Sequence, residues 1–238
     1  DAWDKHTFNI EVYQNVVHHC AAGISLASEN GGVLENISVY NNVVYNNLTN
    51  GLEIGNWGVM GVSPRPIENV MFVNNTVYGN GSGEWGGGIQ LENPNAVNVV
   101  IRNNIFSQNM LFQISDEASG AGLTVDHNLI HDYTGEYEHE IRGSDYVEGD
   151  PLFANPGGGD FRLSPDSPAI DAGSDSDAPD HGFDGTVRPQ DGNKDGTSVH
   201  DIGAYEAADL SARLYLPTVI GKGLSDQTVQ QRLRRNVL

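Results

Sequence analysis

Cysteine, positive charge and long apolar runs are all scarce in this chain. Cys20 is the single cysteine among 238 residues, so no intrachain disulfide can form. Its place just before an apolar–polar alternation reads as that of a small buried hydrophobe rather than a nucleophile. Twelve lysines and arginines stand against 32 acids, for a net charge of −20 and a pI near 4.4. Such a chain repels phosphate, which excludes a general nucleic-acid binder. A bare polyanionic glycan such as pectate is disfavoured too, unless calcium or a local basic patch intervenes. The acids concentrate between Asp116 and Asp209, whereas Arg232, Arg234 and Arg235 lie near the end. No stretch reaches the roughly 18 apolar residues of a membrane span. Aromatics make up 8% of the chain against 29 glycines, a balance suited to a turn-rich stacked β fold.

What the chain does have is a repeat. Asn36–Asn46 runs apolar, polar, apolar, aromatic, two asparagines, then an apolar pair, and related versions occur at Ile10–Val17, Val70–Val77, Val99–Phe106 and Leu123–Ile130. They align Asn15, Asn42, Asn75, Asn104 and Asn128 in one column, with Gln14, Asn41, Asn74, Asn103 and His127 in the column before it. A second element, Gly-apolar-x-apolar, follows at Gly23–Leu26, Gly51–Ile54 and Gly88–Leu91, with Leu111–Ile114 as a weaker fourth. Apolar–polar alternation over about four residues marks a half-buried strand, and repeats of 20–50 residues mark stacked architectures. Each coil then holds three short strands. The fold expected is all-β, a right-handed parallel β-helix whose asparagines tolerate a left-handed bend and bond from coil to coil. The coils are expected over residues 1–135, a wrapping and capping segment over 136–209 and a tail over 210–238. The chain opens inside what looks like a preceding coil, with Trp3 inward and Asp4 outward, so upstream residues are expected.

This repeat resembles the right-handed β-helix proteins of the pectate-lyase-like superfamily. The resemblance makes Gly-apolar-x-apolar the first sheet, along which a polysaccharide groove runs. Farther on, Asp150–Phe153, Asp160–Pro165, Ser167–Gly173, Arg188-Pro189 and Asp201–Glu206 resemble the closing region of secreted bacterial β-helix proteins of the choice-of-anchor class. That implies a secreted or cell-surface location.

On the first sheet the outward residues are expected to stack as Asp4, Ser25, Glu53, Gln90 and Gln113. Glu92 follows Gln90 on the same side. Two insertions, 55–66 and 79–87, flank the sheet and carry Trp57, Arg65, Glu84 and Trp85. Paired carboxylates about 5–10 Å apart suit glycoside hydrolysis, and Glu53 with Glu92 or Glu84 could meet that need, Glu53 as an acid raised by its neighbours. Exposed tryptophans suit the apolar face of a sugar, with Trp57, Trp85, Gln90, Gln113, Arg65 and Ser25 as the substrate-binding set. A lyase would need a base, for which Lys5, His6 and Arg65 are the candidates near the groove. His18, His19, His127 and His131 lie beside the asparagine bend and read as turn histidines.

The outward positions before the asparagines include Met71, Val73 and Val100, an apolar patch that the C-terminal segment is expected to cover. Asp191, Asn193, Asp195 and Thr197 have the opening oxygen spacing of a calcium loop, with Gly196 at the turn and Asp201 one place early to close it. A structural calcium ion is therefore expected there. Polysaccharide hydrolysis is slightly favoured over β-elimination on charge grounds, and a noncatalytic glycan-binding or structural module is the reading from a different class.

Overall fold

A computed structural model describes residues 1–83 and 85–208. Four long strands, β1 (Thr7–Tyr13), β4 (Leu34–Tyr40), β7 (Ile67–Val73) and β10 (Ala96–Arg102), and the short β13 (Thr124–Asp126) form one parallel sheet in that order. A second parallel sheet stacks β2 (Val16–His18), β5 (Val43–Tyr45), β8 (Thr76–Tyr78), β11 (Ile105–Ser107), β14 (Leu129–His131) and β15 (Val147–Glu148). The glycine-led strands β3 (Ile24–Leu26), β6 (Leu52–Ile54), β9 (Ile89–Leu91) and β12 (Ile114–Asp116) form the third. Each coil visits the three sheets in turn, which is a parallel β-helix. No helix among the described residues is long and apolar enough to cross a membrane.

The bends explain the asparagines. Three positions per coil take positive φ: Asn9, Asn36, Asn69 and Asn98 inside the long strands, Gln14, Asn41, Asn74, Asn103 and His127 after them, and His19, Asn46, Gly79, Gln108 and Asp132 after the second sheet. Short polar side chains tolerate this left-handed region better than most. The residue after each of the latter two bends carries a ladder. Asn15, Asn42, Asn75 and Asn104 each donate Nδ2 to the Oδ1 of the next, ending on Asn128, at 2.9–3.0 Å. A second ladder, which the sequence reading missed, links Asn47, Asn80 and Asn109 and ends on Gln113. Bend and ladder are thus split between neighbouring columns, rather than combined in one asparagine.

The core runs down the axis through Val39, Ile54, Phe72, Ile89, Leu91 and Phe106, all at most 1% exposed. Ala2 fills its first end and Trp3 is half exposed, so Ala2 takes the inward place expected of the tryptophan. Cys20 is exposed, not buried: it occupies the second ladder column on the first described coil, where its N–H donates to Asn47 Oδ1 at 3.0 Å.

The C-terminal segment packs mainly on the second sheet, and only its 177–185 loop stands over the long-strand sheet expected to be covered. Phe153 and Phe161, with the antiparallel pair β16 (Phe153–Asn155) and β17 (Asp160–Leu163), pack with Ala169, Ile202 and Ala204 on Val43, Tyr45, Tyr78, Ile105 and Leu129. The apolar pairs after the asparagines signal this. Val43-Val44, Ile105-Phe106 and Leu129-Ile130 bury both faces of the second sheet, one in the axis and one under the cap. The bend column staples the cap in place, with Gln14 donating to Gly182 and Phe183, Asn41 to His181, Asn74 to Asp201 and Gly203, and Asn103 to Ser174 carbonyl oxygens. The tail of residues 210–238 lies outside the described residues.

Candidate functional site

Strand pairing sets two outward columns on the glycine-led sheet. Ser25, Glu53, Gln90 and Ser115 align from coil to coil. Two residues on, Gly55, Glu92 and Glu117 align in turn, each N–H donating to the coil before. Glu53 accepts from Ser25 Oγ at 3.0 Å on one oxygen and from Trp57 Nε1 at 2.9 Å on the other. The indole reaches back because the next residue in its column is Gly55, where a Cβ would collide with the indole nitrogen. Glu92 Oε1 accepts the Asn56 N–H at 3.1 Å. Glu117 Oε1 accepts both Gln90 Nε2 at 2.8 Å and the Tyr137 hydroxyl at 2.6 Å.

Three carboxylates therefore line one face. Glu92 is half-buried and its pKa is raised, first by loss of solvent and then by the charges of Glu53 and Glu117, against the lowering effect of the Asn56 N–H. Burial and the bond to Glu117 push Tyr137 up to about 12, so it stays a donor. Trp57 and Trp85 are both half-exposed on the flanks, Trp85 edge-on to Phe112 at 6.5 Å.

Other expected members lie elsewhere or are closed off. Gln90 is 1% exposed, shut in by Asn50 Nδ2, which donates to its Oε1 at 2.6 Å, and by Glu117. Gln113 is also 1% exposed and belongs to the second ladder. The fourth glycine-type strand is shifted by two residues, which puts Ser115 where Gln113 was expected. Asp4 and Lys5 lie beside the turn near Gly32, not in line with Ser25, because Ala2 already pairs with Ala27. Arg65 is spent on the Asn56 and Val59 carbonyls and holds the loop. Glu84 lies outside the described residues. Glu117 and Tyr137 were missed, and the register shift that hid Ser115 also hid Glu117.

Away from this face, the acidic loop satisfies its own backbone. Asp191 accepts from Asp195 and Gly196 N–H groups, Asn193 from Asp195, and Asp195 from Thr197. Asp201 does not close it. Its carboxylate is fully buried, accepting from the Asp171 and Ala207 N–H groups beside Glu206 and Arg188. Among the described residues, no three His, Cys, Asp or Glu side chains form a group that could hold a metal ion. His18 and His19 are exposed, His131 bonds Ser107 and His127 bonds Asp126.

Fold and site together define a parallel β-helix protein with a carboxylate-bearing face on its glycine-led sheet. No protein-family model matches the chain. Among curated proteins it is similar to the uncharacterized protein YwoF of Bacillus subtilis (strain 168), at 30% identity over 183 residues. That match covers 68% of this chain and 38% of the relative, so the chain spans well under half of that protein's length.

Proposed function

We propose that this is a secreted or cell-surface carbohydrate-active protein of the pectate-lyase-like kind, which hydrolyses a polysaccharide on the glycine-led sheet. The observation that carries this reading is the pairing on one face of Glu53, bonded by the half-exposed Trp57, with the half-buried Glu92, whose carboxyl the Glu53 charge helps to raise. One coil of about 4.8 Å and two residues of about 3.3 Å each put the two α-carbons about 8 Å apart. From that backbone spacing two glutamate side chains on one face can set their carboxyl groups at the roughly 5–9.5 Å of glycosidase pairs. Glu92 would hold the proton for the leaving group and Glu53 would face the sugar as nucleophile or base, with its oxygens oriented by Ser25 and Trp57. β-Elimination has less support, since its candidate base Lys5 stands apart and Arg65 is bound to carbonyls.

A noncatalytic glycan-binding module is the second reading. It is favoured by the occupancy of both Glu53 oxygens and the burial of Gln90. One assay separates the two. The native protein, Glu92→Gln and Glu53→Gln are incubated with a polysaccharide panel, reading reducing ends, unsaturated uronate absorbance and retention on immobilised glycan. Hydrolysis predicts reducing ends that fall by about 10²-fold or more in Glu92→Gln with binding kept. Binding without turnover by the native protein supports the module, and unsaturated products would replace hydrolysis by elimination. A structural calcium ion on the Asp191–Thr197 loop stays a proposal of the sequence spacing alone.

A further inference from the structure

A second cleft lies on another face. It encloses about 510 Å³ between the outward side of the long-strand sheet and the cap loop, within the range of small-molecule sites of about 300–1,000 Å³. Glu11, Tyr13, Ser38, Tyr40, Met71 and Val73 form the sheet wall, and Asp177, Pro179, Asp180 and His181 the loop wall. The gap is held open rigidly. Gln14 and Asn41 bond the 181–183 backbone, and Arg102 ties Asp177 at 2.6 Å while it clasps Asp126.

The chemistry of the walls is one-sided. Tyr13 and Tyr40 stack on each other, centroids 5.0 Å apart and planes within 6°, so their faces are partly spent and their edges and hydroxyls are left for a ligand. Asp177 is neutralised by Arg102. Asp180 forms no side-chain bond among the described residues, and Glu11 has only the Tyr40 hydroxyl at 3.5 Å. Among the described residues, neither lysine nor arginine lines the cleft. Asn41, 2% exposed, spends its amide nitrogen on the His181 carbonyl and leaves Oδ1 without a partner among the described residues. Unmet acceptors, hydroxyls and an apolar Met71–Val73 floor together ask for a ligand with cationic N–H donors, ring hydroxyls and an apolar C–H face.

We propose that this cleft is a second carbohydrate site, which takes sugars bearing a free amine from an amino-sugar polymer. Glu11 and Asp180 pair with the ammonium, the tyrosine and Ser38 hydroxyls meet ring hydroxyls, and Met71, backed by the buried Val73, carries the C–H face. The site is separate from the carboxylate face and holds whether or not Glu92 and Glu53 cleave anything. It also gives the acidic charge of this region a purpose that a pectate-type partner would not.

Calorimetry with glucosamine tetramer, its fully N-acetylated counterpart, a galacturonate tetramer and spermidine tests it on the intact chain. The free-amine tetramer should bind, and the other three should bind at least about tenfold more weakly. Glu11→Gln/Asp180→Asn should weaken that binding by about tenfold or more with an unchanged melting curve, since both side chains are exposed. Glu92→Gln should leave it unaltered. No binding by the free-amine tetramer, equal binding of spermidine or the acetylated tetramer, or full binding by the double variant would overturn the assignment.

Discussion

Replacing Asn75 tests the ladder most severely, because its buried side chain takes part in five hydrogen bonds. Its Oδ1 accepts from the N–H and the Nδ2 of Asn42 at 3.0 and 2.9 Å. Its Nδ2 donates to Val39, Val73 and Asn104 Oδ1 at 2.9, 3.3 and 2.9 Å. In Asn75→Ala the Asn42 N–H loses its partner and a small void opens. An orphaned buried donor costs about 1–3 kcal/mol, and with the void the loss comes to about 3 kcal/mol. At about 2–4 °C per kcal/mol for a chain of this size, Tm should fall by about 6–12 °C. Asn15 makes the same kind of bond to Asn42, but is exposed at the ladder's end. There water replaces what is lost, and Asn15→Ala should cost about 1 kcal/mol or less. Asn75→Asp is the sharper probe. It keeps shape and acceptor but sets a carboxylate oxygen against the Val39 carbonyl and Asn104 Oδ1, so at neutral pH it should destabilise more than alanine. Acidification should narrow that gap, since a protonated carboxyl can donate once. Thermal and denaturant melts of the three variants decide the matter. Equal losses at Asn15 and Asn75, or a milder Asn75→Asp, would refute the ladder as a buried, directional device.

Three further outcomes are expected. Gly55→Ala should displace the Trp57 indole from Glu53 and change its fluorescence, with a stability loss of about 1 kcal/mol or less; unchanged emission would mean the glycine does not seat the indole. Burial and the Glu206 charge raise Asp201 to about 7 from 3.8, so the folded state holds a proton that the unfolded state gives up in that window. That contribution is present at low pH and lost as pH rises through about 7, so Tm should be higher at about pH 5 than at about pH 8, and Asp201→Asn should flatten this slope. A slope unchanged in that variant would place its origin elsewhere. Calcium at 100 times its Kd would add about 2.7 kcal/mol if it binds the Asp191–Thr197 loop. Chelation should then lower Tm, and a melting curve that is the same in chelator and in saturating calcium would mean that the loop is only a turn.

The sequence alone was enough for the coil. Period-2 alternation, paired asparagines and the glycine-led strands each state a local rule, and stacking repeats the rule until the axis is filled. It was enough, too, to place Ser25, Glu53, Trp57 and Glu92 on one face, because strand residues alternate by geometry. Only the tertiary structure decided which outward residues are exposed. Gln90 and Gln113 point away from the axis or its edge, yet Asn50, Glu117 and the second ladder close over them. It also fixed the register of the last glycine-type strand, where a two-residue shift brought in Ser115 and Glu117. The destination of the cap was likewise a matter of tertiary packing. Apolar residues stood outward on two sheets, and local pattern does not rank them. The cap lies on the second, where continuous apolar pairs pack under Phe153 and Phe161 and the bend-column amides fix its edge. What that choice left uncovered is the cleft beside Tyr13 and Tyr40, which no reading of a single strand contains.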